Sequence, residues 1–246
     1  MSTIRHAHSS SLYSNPVYSL EDQLERAVEA DDPSANTLTF TEVGSAERTE
    51  ALKDASPDWA AWVPSQSDVG LMWRKQNFSP IWKEATKLTD KVWTDGQGRK
   101  HETWAGTALL EHSEGRTLFL SVCHLPSHVQ NGKKFYDNAQ AKAWKGACSG
   151  WSDYWNKIRK RDHPDLAMLV ADWNVDFHMS EWRSKVQSYF PSMFLGWAGH
   201  MPPKGKGTHG SRLIDGTWAT VKTSKCQLLK DDGSSDHRPY GEALPW

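Results

Sequence analysis

Eight short runs of apolar and β-branched residues recur along this chain, each closed by turn-forming residues: 4–12, 37–41, 70–75, 106–111, 117–123, 166–171, 213–218 and 227–229. Runs of that length between Gly, Asn, Asp, Ser and Pro read as strands. So many strands can hide their apolar faces only by pairing into sheets that pack on each other or on helices. Two segments break the pattern. Ser19 and Asp22 resemble a capping box opening a helix with Leu20, Leu24, Ala27 and Val28 on one face. From about Asn138 to Lys160, Trp144, Ala147, Trp151, Trp155 and Ile158 recur at helical spacing and form one apolar face. Lys142, Lys145, Lys157 and Arg159 fall mostly elsewhere and read as solvated surface. The 246 residues contain no internal repeat and suit one domain, 1–246, large enough to bury a core without staples.

Composition excludes several classes. The 29 basic and 30 acidic side chains give a net charge of −1, unlike a generic nucleic-acid coat. A local patch remains compatible with gripping a polyanion. Basic residues cluster in "HMPPKGKGTHGSR", where Lys204, Lys206 and Arg212 lie in a Gly/Pro-rich loop. That loop is either a solvated linker or a phosphate grip. Cys123, Cys148 and Cys226 form no CxxC pair, which argues against a disulfide framework or a zinc knuckle. No stretch approaches the roughly 20 apolar residues of a membrane span. The start lacks an apolar core of signal-peptide length. The expectation is a soluble, cytoplasmic monomer with no membrane partner. Trp173 and Trp197, among 14 tryptophans, suit either a nucleic-acid groove or packing.

Polar residues stand beside the apolar runs in five places. They are "LYSNP" with Asn15, "LTFTEV" with Glu42, "LFLSVCHLPSH" with His124, and "ADWN" with Asp172 and Asn174. The fifth is split between "RLIDGTW" with Asp215 and "SSDHRPYG" with Asp236 and His237. Singly, each has an ordinary structural explanation as a turn residue, a solvated acid or a satisfied histidine. Together they form a hard-oxygen set suited to Mg²⁺ or Mn²⁺, with imidazoles that can be tuned near neutral pH. Phosphodiester hydrolysis needs that combination: a cation on the non-bridging oxygens, a held water, and donors for developing charge. No glycine-rich nucleotide loop is present, which argues against an ATP-driven enzyme.

The order Asn, Glu, strand-His, Asp-x-Asn, Ile-Asp, Ser-Asp-His resembles the endonuclease/exonuclease/phosphatase superfamily from Asn15 to His237. "SSDHRPY" is similar to the family's Ser-Asp-His-x-Pro ending. "ADWN" is similar to its Gly-Asp-Phe-Asn, with Ala171 and Trp173 as departures. The resemblance implies an α+β fold, a four-layer αββα sandwich of two packed mixed β-sheets flanked by helices. It places the active site at one end, where strand-end loops converge. It implies Glu42, Asn15 and Asp236 as ligands of Mg²⁺ or Mn²⁺, and Asp172 as the group acting on the attacking water. Asn174 would bond the phosphate, His237 would stabilise the transition state with Asp215 behind it, and His124 would be the second imidazole. The implied activity is metal-dependent phosphodiester hydrolysis, with DNA as the first choice of substrate. Lys204, Lys206 and Arg212 would be backbone contacts. A phosphatase or lipid phosphodiesterase of the same fold is the alternative, and a non-catalytic binding module a third.

Overall fold

The computed structural model describes residues 3–10, 20–23, 36–54, 57–94, 98–230 and 235–246. One six-stranded sheet contains β1 (Thr3–Ser10), β2 (Asn36–Thr41), β3 (Trp59–Trp62), β4 (Gly70–Arg74), β15 (Lys225–Leu228) and β16 (Tyr240–Pro245). Its order is β15-β16-β1-β2-β4-β3, with β1 and β2 parallel and the other pairs antiparallel. The second contains β5 (Phe78–Lys87), β8 (Trp104–His112), β9 (Thr117–His124), β12 (Leu166–Asp172), β13 (Phe194–Leu195) and β14 (Asp215–Ala219). Its order is β13-β14-β12-β9-β8-β5, with β9 and β12 parallel. Two small ribbons complete the strands: β6 (Trp93–Thr94) with β7 (Lys100–His101), and β10 (Gln130–Asn131) with β11 (Lys134–Phe135).

Helices cover the outer faces. The helix α1 (Ala46–Asp54) and helical residues 20–23 bring Leu52 and Leu20 onto Ala7, Leu38, Phe40 and Met72 of the first sheet. The long helix α2 (Ala139–Arg161) and α3 (Ser180–Tyr189) cover the second. On α2 the predicted stripe is buried against Phe119, Leu169 and Ala171. Asn138 caps this helix, its side chain accepting from the Ala141 amide at 2.7 Å. The expected four layers are therefore observed. The predicted helix beyond Gln23 lies outside the described residues, as does Asn15. Cys123, Cys148 and Cys226 are buried and free. No helix among the described residues is long and apolar enough to cross a membrane.

The space between the sheets changes character along the strands, and this positions the site. Alternation puts Ile4, His6, His8 and Ser10 of β1 on the inner face, and Leu118, Leu120, Val122 and His124 of β9. At one end Ile4 and Leu244 meet Leu71, Leu118 and Leu166 in an apolar cluster. Toward the other end the inner residues become His8, Ser10, Thr39, Thr41, Asp172 and Asp215, all buried. Buried polar groups must be paired. Accordingly His6 Nδ1 meets Thr37 Oγ1 at 3.0 Å, and His8 Nδ1 meets Thr39 Oγ1 at 2.9 Å.

Candidate active site

Six strand termini converge at the polar end. Parallel β9 and β12 run in register, so His124 lies beside Asp172. Antiparallel β14 begins opposite the end of β12, so Asp215 lies on the other side of Asp172. From the facing sheet, β1 and β2 end at Ser10 and Thr41, and Glu42 follows directly. His237 lies just before β16. Five predicted residues, His124, Asp172, Asn174, Asp215 and His237, are thus gathered by strand register, and Glu42 faces them. Each acidic or imidazole group ends or precedes a buried strand, whose packing fixes its position.

Two imidazole–carboxylate pairs flank one acid. His237 Nδ1 contacts Asp215 Oδ2 at 2.8 Å, and its Nε2 lies 3.9 Å from Asp172 Oδ2. His124 Nδ1 contacts Asp68 Oδ2 at 2.7 Å, and its Nε2 lies 3.6 Å from the same Asp172 oxygen. Asp68 was not anticipated. It sits in the polar turn "SQSDVG", and only the antiparallel return of β4 brings it to His124. The carboxylate of Asp215 is further held by Ser10 Oγ, which donates to it at 3.1 Å, and by His8 Nε2 at 3.6 Å. Neither Ser10 nor His8 carried a distinguishing sequence signal beyond strand alternation.

Electrostatics follows from this crowding. Burial pushes both imidazoles down, but their carboxylates more than offset it. Asp68, with Asp172 and Glu42, raises His124 to about 10. Asp215, with Asp172 and Glu42, raises His237 to about 10. Burial and the neighbouring Asp215 charge push Asp172 up to about 7, against the pull of His124 and His237. Burial also opposes ionisation of Asp215, yet the His237 charge and hydrogen bond hold it well below the usual carboxylate range. The site thus sets two imidazoles, each drawn toward its charged form by a carboxylate, around an acid that burial and Asp215 draw toward its neutral form.

Local backbone geometry serves the same end. Asn174 has φ 53°, and its side-chain amide donates to Asp172 Oδ2 at 3.0 Å and to the Leu125 carbonyl at 2.8 Å. Both amide hydrogens are engaged within the protein, so Asn174 aims Asp172. Its backbone N–H also donates to Asp172 Oδ1, at 2.9 Å. Glu42 adopts φ 62°, an uncommon left-handed conformation for a non-glycine residue. It is held there by Arg48, which donates to the Glu42 carbonyl, and by the Val43 amide, which donates to the Asp68 carbonyl at 2.7 Å.

Trp173 and Trp197 are fully buried, which settles them as packing residues. The Trp173 indole donates to the Gly216 carbonyl at 2.8 Å, and Trp197 to the Asp215 carbonyl at 2.9 Å. Both brace the start of β14, which carries Asp215.

Two cavities open on either side of the acid–imidazole centre. One of about 450 Å³ is lined by His237, Asn174, His209, Arg212 and Tyr136. The other, of about 580 Å³, is lined by His124, Asp68 and the β6–β7 ribbon. Of the predicted backbone contacts, Arg212 lines the first cavity, and its guanidinium donates to the Asn174 carbonyl at 3.3 Å. Lys204 and Lys206 are exposed on the loop. Asp236 pairs with His209 at 3.2 Å. Ligand atoms of His209, Asp236 and His237 lie within 4.8 Å of one another, as do those of Asp172, Asp215 and His237. Neither group includes Glu42.

The two-sheet sandwich has the fold of solved endonuclease/exonuclease/phosphatase proteins. A family member from Bacteroides thetaiotaomicron matches with a TM-score of 0.72 at 12% identity, covering 98% of this chain and 97% of that one. A mannosyl-6-phosphatase from the same species matches at 0.73 and 11% identity, covering 99% and 100%. TDP2 from D. rerio, complexed with a single-strand DNA product, matches at 0.65 and 12% identity over 100% of both chains. No protein-family model matches this chain, and no curated protein matches its sequence.

Proposed function

We propose that this protein is a divalent-metal-dependent phosphodiesterase that hydrolyses DNA by attack of water on phosphorus. The observation that carries this reading is Asp172 between two imidazoles, each backed by its own carboxylate. An acid raised to about 7 can take the proton of an attacking water. Asn174 keeps that carboxylate aimed. His237 donates from Nε2 to the phosphate oxygens as negative charge grows, while Asp215 fixes its ring. His124, fixed by Asp68, serves the leaving oxygen from the opposite side.

The donor set suits a hard cation. The Glu42 side chain is half-buried, and its charge acts on both His124 and His237. Glu42, with Asp236 and Asn15, would hold Mg²⁺ or Mn²⁺, which supplies charge neutralisation at the non-bridging oxygens. DNA is favoured because Arg212 lines a cavity at the centre and a neighbour of the same fold carries a DNA product.

The test is a parallel assay on plasmid, single-stranded DNA, abasic duplex, RNA, phosphoinositide and a sugar phosphate. DNA cleavage is expected with Mg²⁺, abolished by EDTA and restored by Mg²⁺ or Mn²⁺. Glu42→Gln should lose this response while keeping the wild-type circular dichroism spectrum. Cleavage that survives EDTA would overturn the metal assignment. Turnover of only the lipid or sugar ester would overturn the choice of DNA.

A further inference from the structure

The cavity beyond His124 has a wall that the chemistry at Asp172 does not require. The β6–β7 ribbon places Trp93 directly across from His101. Their rings stack at 4.6 Å between centroids, with planes 21° apart. Trp104 follows at the start of β8, its indole donating to Glu102 at 3.1 Å. Trp93, His101 and Trp104 are all only partly buried and line the same cavity as His124 and Asp68. Arg99 and Lys100 line it too. The ribbon is braced from behind, because Gln140 on α2 donates to the Thr94 carbonyl at 3.0 Å. A cross-strand stack stabilises a short ribbon. Here it also holds an indole plane at fixed orientation beside the reacting centre, which lowers the entropic cost of binding a flat ring.

Resting on the phosphodiesterase reading above, we propose that this cavity is a base subsite. One unpaired nucleobase of the substrate strand lies against Trp93 and Trp104, and Arg99 and Lys100 hold the phosphate next to the scissile one. The two imidazoles lie on opposite sides of Asp172, so a diester bound between them sends one arm into each cavity. The arm on the His124 side enters the cavity that Trp93, Trp104, Arg99 and Lys100 line. A sugar phosphate offers no flat ring to the Trp93 and Trp104 faces that line this cavity. A nucleic acid strand supplies both a π-face and a second phosphate. In a duplex the faces of an interior base are already stacked, so the subsite selects single-stranded or frayed ends.

The experiment uses the full chain with Mg²⁺ and short single strands in which one abasic residue is walked past the cleaved bond. At one position the missing base should lower wild-type kcat/KM by about 5- to 100-fold, the range of one base–aromatic stack. Trp93→Ala should lose a similar factor on the intact strand and nothing further on the abasic one. Trp93→Phe, which keeps a ring face, should recover most of the loss. Arg99→Ala with Lys100→Ala, both exposed, should flatten the salt dependence of binding, and this arm stands even if Trp93→Ala fails to fold. A flat abasic walk, or equal losses for Trp93→Ala on both strands, would overturn the subsite while leaving the phosphodiesterase reading intact. A wild-type enzyme that cuts no strand but hydrolyses another ester would overturn both.

Discussion

His124 and His237 repeat one device. The inner ring nitrogen sits on a carboxylate, and the outer one faces the same Asp172 oxygen. The two halves should respond alike to mutation. His237→Ala is expected to cost about 10² to 10⁴ in turnover, the range of a positioned acid–base group. Asp215→Asn and Asp68→Asn should each cost less, since their task is to orient and charge the ring. Combining Asp68→Asn with His124→Ala should add little to His124→Ala alone, because the pair acts as a unit. Single-turnover rates, with substrate affinity measured separately, check this. A fully multiplicative double mutant would mean that Asp68 acts on its own. Sequence made His124, Asp172, Asn174, Asp215 and His237 legible because each ends or follows an apolar run or sits in a distinctive tripeptide. Asp68 was hidden because a turn acid looks the same whether it faces solvent or an imidazole. Its role depends on contact across 56 residues of chain.

At the scale of elements, legibility follows burial. The α2 stripe and the inner strands β9 and β12 were readable because burial on both faces leaves near-continuous apolar sequence. Strand β5 was not. It reads "FSPIWKEATK", is largely exposed, and bulges between Pro80 and Trp82. An edge strand has little reason to show a clean pattern, and Pro is tolerated there. The α2 packing carries a prediction of its own. Gly150 lies where the helix crosses the backbone of Leu88, and a methyl group there would overlap the Leu88 carbonyl oxygen. In an isolated helix Gly→Ala gains about 1 kcal/mol. Here the overlap forces either Leu88 or the helix to move, which costs about 1–3 kcal/mol as overpacking does. Gly150→Ala should therefore melt below the wild type despite its better propensity. A higher melting temperature would show that helix and Leu88 can separate without loss.

Across the whole molecule, the gradient from apolar to polar between the sheets leaves one acid between the two regimes. Glu242 pairs in register with His6, one step from Leu244 at the apolar end and from Tyr240 toward the site. It is fully buried, and neither carboxyl oxygen makes a well-formed hydrogen bond among the described residues, although the Thr217 hydroxyl lies near enough to favour the ionised form somewhat. Its carboxyl lies against Gly196, where no side chain stands in the way. Burial raises its pKa from 4.5 to about 8. In the unfolded chain the group ionises near 4.5; in the fold it keeps its proton to about 8. Unfolding between those values releases a proton, so this residue makes stability fall as pH rises through that window and level off above it. Glu242→Gln retains the shape and neutrality of the protonated acid and removes the proton release. Near pH 5 the variant and wild type should melt within a few degrees of each other. By pH 8 the variant should melt higher, by about 2–4 °C for each kcal/mol of ionisation cost removed in a domain of this size. Melting both proteins at intervals across that range measures the difference directly. A gap that stays constant with pH would mean that Glu242 ionises in the fold as it does in water, and that the space between the sheets admits solvent at this point.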